Sequence, residues 1–480
     1  MWGEEVKRMR KICLPMAATN LVSYLKGMVS VSCMGRLGPL ELAGGSLAVG
    51  LTNITGISVL NGLSLGLDPI CSQAVGSRNH SLATSALRRT VILLLVASLP
   101  IAALWCSLRP FLLFLCLDPS VASVAQTYAI SSVPSLLSLS LLLPLRSYLR
   151  SHSRPLPIAA ASALSSLVLH LPLAPLLSHS LGISGIALSS SLSDFVTLLL
   201  LSAYFAFSHQ PDHHTSYIRL PTSSPPPSAT AHADGWAPLF RLALPTCLAV
   251  CLEWWWYEFM TIAAGYLAYP RAGLGAAGIV IQTTALLYTL PTTLSAAAAT
   301  RVGNELGAGR PKHARAAAAV SMGLSLAGSC LGLAWTTLGR EAWARVFTAD
   351  GDVLGLTRTA LPLIGLCELA NCPQTTGCGV LRGCARPAAG LVINLVSFYL
   401  VGAPVAVGLA FGLEMGFVGL CLGLLAAQVV CAASILVVTW RTDWEEEARK
   451  AADLVGPIGL NGMEEEKKAT LVDGAETLLK

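Results

Sequence analysis

The sequence predicts an all-α polytopic membrane protein, with twelve transmembrane helices in two pseudo-symmetric six-helix lobes. Three observations predict it. The 480 residues are 54% hydrophobic and only 12% charged, with a mean hydropathy of +0.65, which leaves too little polar surface for a soluble chain of that length. Apolar runs of about 20 residues, each long enough to cross a hydrocarbon core, recur along it. Finally, the chain repeats itself about 230 residues later. Leu14-Pro15 returns as Leu244-Pro245, and Gln73-Ala-Val-Gly76 as Asn304-Glu-Leu-Gly307. Arg150-Ser-His-Ser-Arg154-Pro155 returns as Arg382-Gly-Cys-Ala-Arg386-Pro387, and Gly182-Ile-Ser-Gly185 as Gly416-Phe-Val-Gly419.

The apolar runs fall at roughly 12–32, 46–68, 90–109, 121–145, 155–177 and 183–207, then 239–263, 276–300, 314–338, 354–380, 387–411 and 414–439. They are continuous rather than alternating, so the spanning structure is the helix, which satisfies its own backbone polar groups in lipid. Residues 1–11 form a cytosolic amino terminus, 12–207 the N-lobe, 208–238 a cytosolic linker, 239–439 the C-lobe and 440–480 a charged cytosolic tail. The linker carries His209, His213, His214 and a Pro- and Ser-rich stretch, a composition that cannot bury enough apolar surface to fold.

Lys and Arg set the orientation. With the amino terminus in the cytosol, that side carries Lys7, Arg8, Arg78, Arg88, Arg89, Arg146, Arg150, Arg154, Arg219, Arg241, Arg301, Arg310, Arg382 and Arg386. The far side holds few, among them Arg36, Arg109 and Arg340, a positive-inside bias that leaves both termini cytosolic. Six helices per lobe is even, so both lobes share one orientation about an axis along the membrane normal. The net charge of +5 is thus a topology signal and not a nucleic-acid footprint. The 14 Cys sit mostly inside apolar runs as small buried hydrophobes. No spacing marks a metal site, and no His/Asp/Glu cluster in the spans suggests an enzyme.

An ionisable residue inside lipid is costly and marks function. The seventh run reads Cys251-Leu-Glu253-Trp254-Trp255-Trp256-Tyr257-Glu258. Glu253 lies about 18 Å from the cytosolic edge at helical rise, slightly past the midplane. Glu258 is about 140° around the helix from it. Desolvation favours the protonated form of a carboxyl, as proton coupling needs, and Trp254, Trp255, Trp256 and Tyr257 offer aromatic faces for cations or flat rings. The bland alternative is a structural hydrogen bond beside an interfacial Trp belt. The tenth run places Glu368, Asn371 and Gln374 on one stripe, facing either a cavity or neighbouring helices. In the first half, Lys26 is expected to snorkel to the far interface and Asp68 to be an interfacial residue. Arg150, Arg154, Arg382 and Arg386 are expected to fix topology, pair with carboxylates such as Glu305, or close a cytosolic gate.

Five stretches together resemble the multidrug and toxic compound extrusion (MATE) family, in its plant DETOXIFICATION branch: Glu41-Leu-Ala-Gly-Gly45, Gly66-Leu-Asp-Pro-Ile-Cys-Ser-Gln-Ala-Val-Gly76, Cys251-Leu-Glu-Trp-Trp255, Arg301-Val-Gly-Asn-Glu-Leu-Gly-Ala-Gly309 and Gly379-Val-Leu-Arg-Gly383. The resemblance implies a central cavity between the lobes and export of small organic solutes or xenobiotics by antiport against protons, or less commonly sodium, with no cofactor. It implies that Glu253 is the coupling carboxylate. Asn371 stands where many plant members carry an aspartate, so either Glu253 couples alone or Glu368 supplies a second carboxylate. Competing readings are a non-transporting membrane sensor or scaffold of the same fold, and a lipid or polysaccharide flippase, which usually has a more basic cavity. The expected partners are the solute and the bilayer, with the chain monomeric in the plasma membrane, vacuole or late endosome.

Overall fold

A computed structural model describes residues 2–114, 118–208, 235–267, 270–348 and 350–456. The inter-lobe linker with its three His, Arg219 and the tail beyond 456 lie outside the described residues. Among the described residues, twelve helices are long and apolar enough to cross a membrane. They are α1 (Trp2–Leu37), α2 (Pro39–Gly76), α3 (His80–Cys106), α4 (Pro119–Ser151), α5 (Leu156–Leu181) and α6 (Ile183–Ser208), followed by α7 (Trp236–Ala264), α8 (Ala272–Gly307), α9 (Pro311–Leu338), α10 (Gly351–Gly383), α11 (Pro387–Gly412) and α12 (Gly416–Trp440). A further helix, α13 (Trp444–Val455), follows α12. The helices overrun the apolar runs because they continue through polar residues that hydropathy cannot register.

The duplication holds down to single backbone torsions. Left-handed residues recur in register: Arg78 (φ 62) with Gly309 (φ 66), Ser153 (φ 56) with Ala385 (φ 56), and Gly182 (φ 60) with Gly416 (φ 58). Gly182 and Gly416 make the turns into α6 and α12, where a side chain would be strained. Asp118 caps α4 by accepting from the Ser120 and Val121 amides, and Asp350 caps α10 by accepting from those of Asp352 and Val353, each satisfying orphan helix donors. π-Helical turns at Leu164–His170 in α5 and Leu395–Gly402 in α11 also correspond.

Each lobe has its own apolar core. Leu60, Leu94, Trp105 and Leu136 anchor one, and Trp256, Ile364, Phe398 and Phe417 the other. Between the lobes, α1 packs on α8 as α7 packs on α2, and α2 meets α8 near the axis. These helices are closest at the end of the bundle that carries the start of α1 and also α13, called here the terminal face. There Gly76 and Gly307 let two backbones touch: a Cβ on Gly76 would lie 2.1 Å from the Asn304 carbonyl oxygen, and one on Gly307 2.0 Å from that of Gln73. Gln73 Nε2 donates to the Gly383 carbonyl at 2.8 Å, and Asn304 Nδ2 to that of Ser151 at 3.2 Å. Arg301 grips Glu5 with two hydrogen bonds, at 2.7 and 2.9 Å. The terminal face is therefore closed, by apolar backbone contact and by polar pairs that each join one lobe to the other. The α13 helix lies across it, with Glu447 3.5 Å from Arg386 and the Val455 carbonyl accepting from Asn79.

Candidate functional site: a central cavity with one carboxylate

The local course of α7 and α8 sets the site. Pro291 has no amide hydrogen for the Leu287 carbonyl, and α8 breaks one residue later, at Tyr288, between Pro270–Leu287 and Thr289–Gly307. The Tyr288 hydroxyl donates to Glu253 Oε1 at 3.1 Å. Glu253 is 7% exposed and lines a cavity of about 290 Å³ between the lobes, together with Asn20, Trp254, Tyr288, Asn394 and the arginines Arg146, Arg150 and Arg382. Among the described residues it is the sole carboxylate in that lining. Opposite it, Asn20 Nδ2 in α1 donates to the Thr289 carbonyl and to the hydroxyls of Thr292 and Thr293 in α8, at 3.0–3.1 Å. The α8 break is thus held from both lobes. A carboxyl held by one neutral donor can gain or lose a proton without breaking an ion pair.

The remaining residues of the seventh run separate. Trp254 lines the central cavity. Trp256 does not: it is fully buried in the C-lobe core, packed on Phe259, Phe398 and Tyr399. Tyr257 packs against the same core. Trp255 is 44% exposed and donates to the Ile54 carbonyl of α2, a contact between lobes. Glu258, half-buried beside Gly50, is not among the residues lining this cavity. Successive side chains of one helix point in different directions, and of residues 252–258 Glu253 and Trp254 line the central cavity.

The α10 stripe faces the C-lobe interior. Asn371 Nδ2 donates to Glu368 Oε1 at 3.0 Å, and both are buried. Gln374 is buried too, its amide atoms without partners. Glu368 borders a separate cavity between α8, α9 and α10, and the stripe meets the central lining through Thr375, whose hydroxyl donates to Asn371 Oδ1 at 3.4 Å. Among the described residues, no group of three or more His, Cys, Asp or Glu is placed to hold a metal.

Three expectations change. Asp68 is not interfacial: it is 2% exposed, accepts from Ser147 and Arg150 at 2.7 and 2.5 Å, and lies 3.8 Å from Arg382 across the lobe boundary. The arginine motifs therefore divide. Arg150 and Arg382 clasp Asp68, while Arg154 is exposed and Arg386 reaches Glu447 of α13. Glu305 pairs instead with Arg301, Arg310 and Arg8. Lys26 does not snorkel outward, because Asp194 in α6 holds it at 2.7 Å inside the N-lobe. The cavities are also more basic than the apolar runs suggested, since Arg146, Arg150 and Arg382 project inward from helix ends.

Two six-helix lobes around a central cavity that Glu253 lines have the architecture of a membrane carrier. The MatE family pattern matches this chain twice, at residues 15–176 and 245–408, once per lobe, and the chain belongs to the multidrug and toxic compound extrusion family. Membership carries secondary-active efflux by antiport as the general activity, and excludes an enzyme. Over 458 residues the chain is 53% identical to Protein DETOXIFICATION 55 of Arabidopsis thaliana, covering 94% of this chain and 91% of that one. It is 47% identical to Protein DETOXIFICATION 48 of the same plant, covering 94% and 83%. The crystal structure of the eukaryotic MATE transporter AtDTX14 superimposes with a TM-score of 0.87 at 29% identity, covering 95% of this chain and all of that one. An outward-facing multidrug resistance MATE transporter shares the fold, with a TM-score of 0.81 at 18% identity.

Proposed function

We propose that this protein exports small organic solutes from the cytosol in exchange for protons, with Glu253 as the coupling group. The observation that carries this is the placement of Glu253 as the one carboxylate lining the central cavity, held by the Tyr288 hydroxyl alone and free of any basic partner within 4 Å among the described residues. The positive-inside bias makes the terminal face cytosolic. In the closed arrangement, a proton reaches Glu253 from the opposite side. Its binding favours the solute-free state, and opening of the seam around Gly76 and Gly307 then releases the proton to the cytosol and admits new solute. Antiport requires that proton and solute share one site or select opposite states.

The Asp68, Arg150 and Arg382 cluster serves as the cytosolic gate in this reading, with Asp68 rather than the outer arginines at its centre. The chain acts as a monomer in the plasma membrane or an endomembrane, since the cavity is complete within one copy.

The test is gradient-driven transport by the full chain in proteoliposomes, wild type against Glu253→Gln. The substitution should abolish uptake driven by an imposed pH gradient while leaving thermal stability near wild type. Gradient-driven uptake at the wild-type rate in Glu253→Gln would remove Glu253 from coupling.

A further inference from the structure

A second cavity, mainly in the N-lobe and walled by α8 on one side, has no part in proton coupling as described. It encloses about 600 Å³, and its charged lining is Lys26, Arg146 and Asp194. That volume suits a small-molecule ligand. Lys26 and Asp194 neutralise each other at 2.7 Å, and Lys26 also donates to the Ser190 carbonyl at 3.1 Å. Arg146 is different. Among the described residues no carboxylate lies within 4 Å of it, and its hydrogen bond is to a neutral hydroxyl, Ser162 Oγ at 3.2 Å. Its Nε is shielded from solvent and has no partner.

A guanidinium inside a membrane protein with most of its donors unspent is costly unless something binds there. Its planar fork matches carboxylate and phosphate oxygens two at a time. Arg146 and Trp254 both line this cavity and the central one, so the cation stands where the two spaces join, beside an aromatic face. Of the neighbouring arginines, Arg150 is paired with Asp68, while Arg382 lies 3.8 Å from that carboxylate, hydrogen-bonds Ser295 and lines the central cavity but not this one.

We infer that the exported solute is a small organic anion, whose carboxylate or phosphate docks on Arg146 with its apolar body against Trp254 and Leu143. This names the solute class for the export reading above and rests on it. It also constrains the coupling. A bound anion and an ionised Glu253 repel, so protonation cannot eject the solute by competing for charge, as it would a cation. Proton and anion must exclude one another by selecting opposite arrangements of the lobes.

The test is equilibrium binding to the purified full chain in nanodiscs, by calorimetry, with 1-naphthoate, 1-naphthyl phosphate and ethidium as probes. One or both anions should bind saturably and ethidium should not; the two anions distinguish the preferred head group. Arg146→Gln should weaken anion binding at least tenfold. Arg146→Lys, which keeps the charge but loses the fork, should weaken it several-fold and carries the comparison if the Gln variant does not fold. Tighter binding of ethidium, no binding of either anion by folded wild type, or anion affinity unchanged by both Arg146 variants would each overturn the inference. Binding to wild type and the Arg146 variants is measured without a gradient, so failure of the coupling proposal is read separately, from the transport assay.

Discussion

A methyl group on the lobe seam should change which side of the bundle is closed. Gly76→Ala puts a Cβ 2.1 Å from the Asn304 carbonyl oxygen, a backbone atom that no rotamer change can move aside. A carbon–oxygen contact relaxes to about 3.3 Å, so the seam must part by roughly 1.2 Å locally. Overpacking of this kind costs about 1–3 kcal/mol. The strain falls on the closed arrangement alone, so the whole cost enters the open–closed equilibrium, a shift of about 5–150-fold. Gly307→Ala is the reciprocal perturbation, at 2.0 Å from the Gln73 carbonyl oxygen. Because both act on one contact, the double variant should shift the equilibrium by less than the two single effects combined. Gly323→Ala is the control: it meets nothing within 4 Å and gains helix propensity of up to about 1 kcal/mol. Hydrogen exchange by mass spectrometry in nanodiscs reads the outcome, with faster exchange expected in peptides covering 68–80 and 300–310 and little change in α5 or α11. Wild-type exchange in both seam variants would refute the reasoning, as would acceleration spread evenly over the molecule.

Asp68→Asn should be strongly destabilising, by about 3–5 kcal/mol, because it leaves two arginines buried without their carboxylate; thermal unfolding in detergent measures it, and Asp68→Asn with Arg150→Met should recover part of the loss. Glu368→Gln should leave gradient-driven transport close to wild type, since Glu368 faces Asn371 and not the central cavity, and a transport defect equal to that of Glu253→Gln would place the coupling site on α10 instead.

What the sequence made legible depended on whether the signal was local. The twelve spans follow from hydropathy, and the two lobes from motifs repeated in order. Glu253 stood out because a carboxylate inside an apolar run is conspicuous by itself. Tyr288 did not, since a tyrosine in a membrane helix has many ordinary uses; Pro291, which accounts for the helix break beside it, was the available clue. Periodicity separated the faces of Glu253 and Glu258 but could not say which face looked into the cavity, so Trp256 was expected there and lies in the core. Lys26 and Asp68 were misjudged for a shared reason. Each sits toward the end of an apolar run, where water is the usual neighbour, and each instead meets a partner far along the chain: Asp194 for Lys26, and Arg150 and Arg382 for Asp68.

The paired π turns in α5 and α11 bear on the symmetry of the two lobes. One residue inserted into an α-helix leaves such a bulge, and a bulge is retained where removing it would rotate every later side chain out of register. A bulge at equivalent places in both lobes therefore keeps the later turns of α5 and α11 in the same register, so the two helices present corresponding faces to their lobes.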